Sequence, residues 1–163
     1  MATSDSTRPP SVGEVIGQVL GRVSRERRPL LLAIAERMAA ERYRGWAADV
    51  DDPEVRAGLI ACAAREDEIA DRVEAVFPDP AAVQQRLLAT FPELPQLNRD
   101  VFAGRPLADQ FAIQAAGERV GAATWRAFAA AWPDAAAREA FLACAPLEEA
   151  SAEFLDGLRG RSA

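Results

Sequence analysis

Apolar residues in this chain recur at intervals of three and four, the spacing of one helix face, and no stretch alternates convincingly as a strand would. Val12, Val15, Ile16, Val19, Leu20 and Val23 form such a stripe and predict a short amphipathic helix over 12–23. Gly13, Gly17 and Gly21 fall beside it every fourth residue, which permits close approach of another helix. A second helix is predicted from about Pro29 to Asp49 and a third from Pro53 to Phe77. Asp52 followed by Pro53 supplies an N-cap and a proline at the first helical position, so that boundary is sharp. Asp79 and Pro80 repeat the signal before a shorter helix ending near Phe91, after which Pro92, Pro95, Gly104 and Pro106 break the pattern. Two long helices follow, over about 107–132 and 135–158, separated by Pro133 and Asp134. Pro146 lies inside the last of them and predicts a kink or a restart, because it cannot donate to the carbonyl of Leu142. Residues 1–11 have the composition of a flexible tail, and Asp156 to Ala163 that of a frayed end.

The helices repeat. Sliding residues 35–76 forward by 82 onto 117–158 gives 13 identities in 42 positions, of which six are alanines. The other seven are Glu36/Glu118, Arg37/Arg119, Arg44/Arg126, Asp52/Asp134, Arg56/Arg138, Cys62/Cys144 and Glu66/Glu148. The repeated unit is a helical hairpin, 29–77 and again 107–158, joined by a long crossover over 78–106. The expected fold class is all-α: one four-helix bundle over 12–160, built from two such hairpins about a pseudo-two-fold axis, plus the short N-terminal helix.

The seam that each helix turns inward holds the chemistry. Val55, Leu59, Cys62, Glu66, Ile69, Val73 and Val76 step by four and three along the third helix. Ala137, Phe141, Cys144, Glu148, Ser151, Leu155 and Leu158 step identically along the last. Glu36 shares a stripe with Leu32, Ala39 and Tyr43, and Glu118 shares one with Phe111, Ala122 and Trp125. Four glutamates, Glu36, Glu66, Glu118 and Glu148, are therefore expected to meet in one core at one level. Two carboxylates about 4 Å apart repel by roughly 4 kcal/mol at an effective dielectric of 20, so protons, arginines or hard divalent cations must neutralise the group.

Composition narrows what such a site can do. The chain has 163 residues, with 25 acids against 19 bases, and every base is arginine; lysine and histidine are absent. No Ser-His-Asp or Cys-His nucleophile and no Schiff-base lysine can be assembled. A net charge of −6 argues against nucleic acid as a partner, since phosphates need a basic face. No run of about 18 apolar residues predicts a membrane span, and the opening residues lack the apolar core of a signal peptide. Cys62 and Cys144 sit within helical patterns as small core residues, which together with the bare N-terminus makes a reduced, cytoplasmic setting the expectation.

Glu36 with Tyr43, and Glu118 with Trp125, place an aromatic seven residues after a core glutamate, and Glu66 and Glu148 lie on the partner helices. In these elements the chain resembles the ferritin-like, rubrerythrin-type di-iron carboxylate proteins, whose second helices carry Glu-x-x-His. The resemblance implies a ferritin-like bundle with metal ligands at Glu36, Glu66, Glu118 and Glu148 and with iron or manganese as cofactor. The histidines are missing: Ile69 and Ser151 stand in their places. Two readings stay open. In one, the glutamates hold one or two hard divalent cations for oxidation chemistry or metal handling, completed by water and by Ser151. In the other, the bundle is metal-free, its carboxyls partly protonated, and serves as a scaffold for a small ligand or another protein. A homodimer through the N-terminal helix or the crossover is compatible with either, and neither names a substrate.

Overall fold

The computed structural model describes residues 11–161 and is all-α: among the described residues there are seven α-helices and no strand. They are α1 (Val12–Leu20), α2 (Arg28–Asp49), α3 (Pro53–Glu74), α4 (Pro80–Thr90), α5 (Leu94–Asp100), α6 (Leu107–Ala131) and α7 (Ala135–Arg161), with a single 3-10 turn at Arg25–Arg27. The tail expected over 1–11 lies outside the described residues except for Ser11. That residue caps α1 in a reciprocal box: its hydroxyl accepts from the Glu14 backbone N–H, and the Glu14 carboxylate accepts from its own. No helix among the described residues is long and apolar enough to cross a membrane.

Four long helices form the body. In α2 and α3, Arg44 meets Asp67 and Arg37 meets Glu74; in α6 and α7, Arg119 meets Asp156 and Trp125 meets Glu148, so each pair is an antiparallel hairpin. The two hairpins join through α3 and α7, where Glu66 meets Ser151 and Gly58 lies under the ring of Phe154. Across the other side Tyr43 reaches Glu118 and Trp46 reaches Gln110, so α2 and α6 are antiparallel as well. Since α3 and α6 both oppose α2, they run in the same direction. The chain must therefore travel back along the bundle before α6 begins, which is the physical reason for a connection this long.

Most of the non-alanine identities of the repeat set the hairpin geometry. Asp52 accepts from the backbone N–H groups of Glu54 and Val55, and Asp134 accepts from that of Ala137, so each second helix starts on the same cap. Arg56 donates to the carbonyls of Ala47 and Val50, and Arg138 to those of Trp132 and Pro133, tying off the end of each first helix. Arg44 pairs with Asp67 where Arg126 pairs with Glu149, and Arg37 pairs with Glu74 where Arg119 pairs with Asp156. Exposed pairs of this kind contribute only about 0–1 kcal/mol each; their use here is to fix the register of one helix against the other.

The connection is more ordered than its prolines suggest. Pro95 sits in the first turn of α5, where a missing N–H costs nothing, so it starts a helix instead of breaking one. Leu87 of α4 with Phe91 and Leu94 packs with Val19 and Val23 on Leu30, Leu31 and Ile34, which buries the outer face of α2 too. This second layer explains the unbroken apolar run Pro29–Ala35. Asp79 differs from the predicted cap: its φ is 49° and its side chain makes no capping bond. α7 differs from the expected kink, since it runs unbroken through Pro146 to Arg161 in place of a frayed end after Asp156. Leu142 and Pro146 both face solvent, where water can satisfy the freed carbonyl.

The two aspartates separate cap from strain. Asp52→Ala is expected to destabilise the protein by about 1 kcal/mol in urea denaturation, through loss of a true cap. Asp79→Gly is expected to be neutral or stabilising, because glycine accepts a positive φ without the Cβ penalty.

Candidate metal centre

The inner seams arrive as predicted. Leu59, Cys62, Glu66, Ile69 and Val73 of α3 are buried, as are Ala137, Phe141, Cys144, Glu148, Ser151, Leu155 and Leu158 of α7. Cys62 and Cys144 are free thiols, and burial pushes them up to about 11 and about 12, so both are packing residues without thiolate character. All four glutamates are buried, with relative exposures of 9% for Glu36, 0% for Glu66, 2% for Glu118 and 1% for Glu148. Among the described residues none of them belongs to an ion pair.

Three of them share one point in space. Glu36, Glu66 and Glu148 each offer an oxygen, and these lie within 4.8 Å of one another. Glu118 stands beside that trio, its charge felt by each member, but its Oε1 already accepts from the Tyr43 hydroxyl at 2.6 Å and from Gln114 Nε2 at 2.6 Å. Trp125 Nε1 donates to Glu148 Oε1 at 2.8 Å, and the Ser151 hydroxyl donates to Glu66 Oε1 at 3.1 Å. Tyr43 and Trp125, the aromatics seven residues after Glu36 and Glu118, are thus both packed in the core and hydrogen-bonded to acids, Tyr43 to Glu118 and Trp125 to Glu148. Ser151 donates a bond from one of the two positions where a histidine was missing; Ile69, at the other, is buried and offers none.

No family model, curated protein or solved structure matches this chain.

Gln114, Asn98, Arg42 and Gly121 complete the surroundings, and none stood out in the sequence. Gln114 lies one turn before Glu118 on the inner stripe of α6, a signal that was there to be used. Asn98 belongs to α5, which the prolines concealed. Gly121 has a geometric role: a Cβ there would come within 2.4 Å of Glu148 Oε1, so the carboxylate lies directly on the α6 backbone. The site opens towards the gap between α2 and α6, into a cavity of about 260 Å³ roofed by α1 through Val12, Gly13, Ile16 and Gly17. Gly13 lies against Val120 and Gly117 against Val12, so α1 and α6 approach closely there. Of the three glycines spaced along α1 only Gly13 is used in this way, since a Cβ on Gly17 would meet nothing within 4 Å and one on Gly21 only the carbonyls of its own helix.

Electrostatically the trio is held away from its charged form. Burial, and then the neighbouring Glu118 charge, push the Glu36 carboxyl up to about 8. Burial raises Glu66 well above the carboxylate range, helped by Glu118 and Glu36, and raises Glu148 likewise, helped by Glu36 and Glu118. Burial also raises the Tyr43 phenol, so it remains a donor. One atom is left over by the phenol, indole, amide and hydroxyl donors: Glu66 Oε2 is buried and receives none of them, and in the metal-free protein a proton shared with the Glu36 carboxyl is the relief at hand for Glu66. A buried oxygen in that condition costs about 1–3 kcal/mol, more if charged.

Without a cation, the folded form holds protons on these carboxyls that the unfolded chain releases above its ordinary value of 4.5. Stability therefore falls as pH rises from about 4.5 through about 8. The thermal midpoint of chelator-treated protein is expected to fall steadily across that window, and Glu36→Gln, which cannot ionise, is expected to flatten the slope. Gly121→Ala is expected to lower the midpoint at every pH by displacing the Glu148 carboxylate.

Proposed function

We propose that this chain is a ferritin-like bundle whose core binds one or two hard divalent cations through glutamate oxygens alone. The single observation behind the proposal is Glu66 Oε2, buried and unpartnered within a trio of carboxylates whose oxygens lie within 4.8 Å of one another. A cation bound among them supplies the missing partner, and the same positive charge returns the trio to its ionised form. The donor set fits: carboxylate oxygens suit iron(II), manganese, magnesium or calcium, while both cysteines are buried and remain protonated. The repeated hairpins, the parallel run of α3 and α6 and the long crossover support the ferritin-like assignment.

Glu36, Glu66 and Glu148 would hold the ion, and Glu118 would complete a second position. Tyr43 and Gln114 orient Glu118, Trp125 orients Glu148 and Ser151 orients Glu66, as outer partners do in metal sites. A bound iron or manganese would supply Lewis-acid and one-electron chemistry, and oxidation or metal handling is the role that such a centre supports. The residues themselves exclude bulk water and fix the carboxylates, while the cavity under α1 admits a small molecule.

Mass spectrometry of protein purified without a histidine tag tests this reading. Stoichiometric iron or manganese is expected in the parent chain and is expected to be lost in Glu66→Gln and in Glu148→Gln. Added manganese(II) is expected to raise the thermal midpoint of the chelated parent at about pH 8 and to leave both variants unmoved. A parent that binds no divalent ion under those conditions would leave the protonated, metal-free bundle as the correct state.

A further inference from the structure

On the far side of Arg42 from the acids, a second cavity opens between α2, α5 and the turn before α6. It measures about 650 Å³, within the range usual for small-molecule sites. Its walls are apolar, from Ile34, Met38, Pro95 and Phe102, and its inner end is formed by Arg42 and Asn98, which it shares with the cavity over the acids.

Arg42 belongs to no ion pair among the described residues; the buried Glu118, Glu66 and Glu36 attract it from its inner side without touching it. Its Nη1 donates to Gln114 Oε1 at 2.7 Å, its Nη2 donates to Asn98 Oδ1, and its guanidinium lies 3.9 Å from the centre of the Phe102 ring. All three partners are neutral. Burial lowers its pKa to about 10, a cost that the pull of Glu118, Glu66 and Glu36 on its inner side offsets only in part. Two of the five guanidinium N–H donors are used, and the remainder, Nε–H included, have no acceptor among the described residues. Asn98 is 5% exposed; its Oδ1 is taken by Arg42, which leaves its Nδ2 as a donor with no acceptor among the described residues. Two groups of unmatched donors therefore converge at the closed end of an apolar groove.

The other charges on this wall do not fill that need. Arg37 is committed to Asp67, Asp71 and Glu74. Glu41, the only acid among the lining residues, pairs with Arg44 at the exposed rim, and Arg99 donates to Gln96.

We propose that this groove binds a small organic carboxylate with an apolar body, its two oxygens on Arg42 and Asn98 and its body along Met38, Ile34 and Phe102. A carboxylate accepts from both groups at once and gives Arg42 a directly bonded anion on its outer side. The buried glutamates beyond the partition bar the anion from the inner cavity by like charge. The site does not depend on a metal being bound in the core.

Calorimetric titration of chelator-treated protein with octanoate, 1-octanol and inorganic phosphate tests the proposal. Octanoate is expected to bind once per chain, at least about tenfold more tightly than either of the others. Arg42→Gln is expected to weaken octanoate by about tenfold or more, the scale of one charge-assisted bond, and to leave octanol unchanged. Met38→Trp, which fills the groove without touching Arg42, is expected to abolish octanoate binding and decides the matter if Arg42→Gln does not fold. Glu66→Gln is expected to retain it, which separates this site from the metal centre. Equal binding of octanoate and octanol, or of octanoate and phosphate, overturns the proposal, as does octanoate binding that survives Met38→Trp.

Discussion

Placing several carboxylates in one dry core is the constraint from which the rest of this structure follows. At 4.8 Å, two negative charges repel by roughly 3 kcal/mol even at an effective dielectric of 20, before any desolvation cost. Four neutral donors are spent on the problem: Tyr43 and Gln114 on Glu118, Trp125 on Glu148, Ser151 on Glu66. These bonds leave the trio of Glu36, Glu66 and Glu148 short of positive charge. A proton and a cation are alternative remedies, so the occupancy of the site and its protonation are one linked equilibrium. The raised pKa of each trio member and the orphaned Glu66 oxygen are two views of that shortage.

A duplicated hairpin is an economical way to bring such acids together. Each hairpin fixes its own register through its arginine pairs and caps, without reference to the other half. Two copies packed through α3 and α7 then place Glu66 and Glu148 at one level, with Glu36 and Glu118 on the flanking helices. The cost falls on the side where α2 and α6 face each other over a gap. There α1 serves as a roof, close enough to work because Gly13 and Gly117 let it lie against α6.

Much of this was legible in the chain. The 3.6-residue periodicity, the Asp-Pro start of α3 and the shift of 82 residues were enough for the hairpins, and stepping by three and four was enough to find all four glutamates. What escaped has local causes. Pro95 signals a break and a helix start equally well, and only the contact of Leu94 with the α2 face decides, so α5 and with it Asn98 were hidden. Asp79 has the composition of a cap, but its left-handed backbone points the side chain elsewhere. Pro146 was expected to disturb α7 because a sequence does not say which carbonyl faces water. Gln114 was missed for another reason: a glutamine on an inner stripe gains meaning only once the acid it serves is known to be buried.

The repeat is imperfect at the places that shape the centre, and those departures explain why it is lopsided. Ala39 corresponds to Gly121, so α2 carries a methyl group at the repeat position where α6 leaves bare backbone under Glu148. Ile69 corresponds to Ser151, so α7 offers a hydroxyl to the acid on α3, whereas α3 offers nothing to the acid on α7. Glu148 is instead held by Trp125, whose counterpart Tyr43 serves Glu118. One half of the bundle is thereby fixed by packing and indole, and the other is left with a single weak donor and a free oxygen. A symmetric pair of hairpins would give two equivalent positions around the axis. These three differences leave Glu66 with one hydroxyl donor on Oε1 and none of the neutral donors on Oε2.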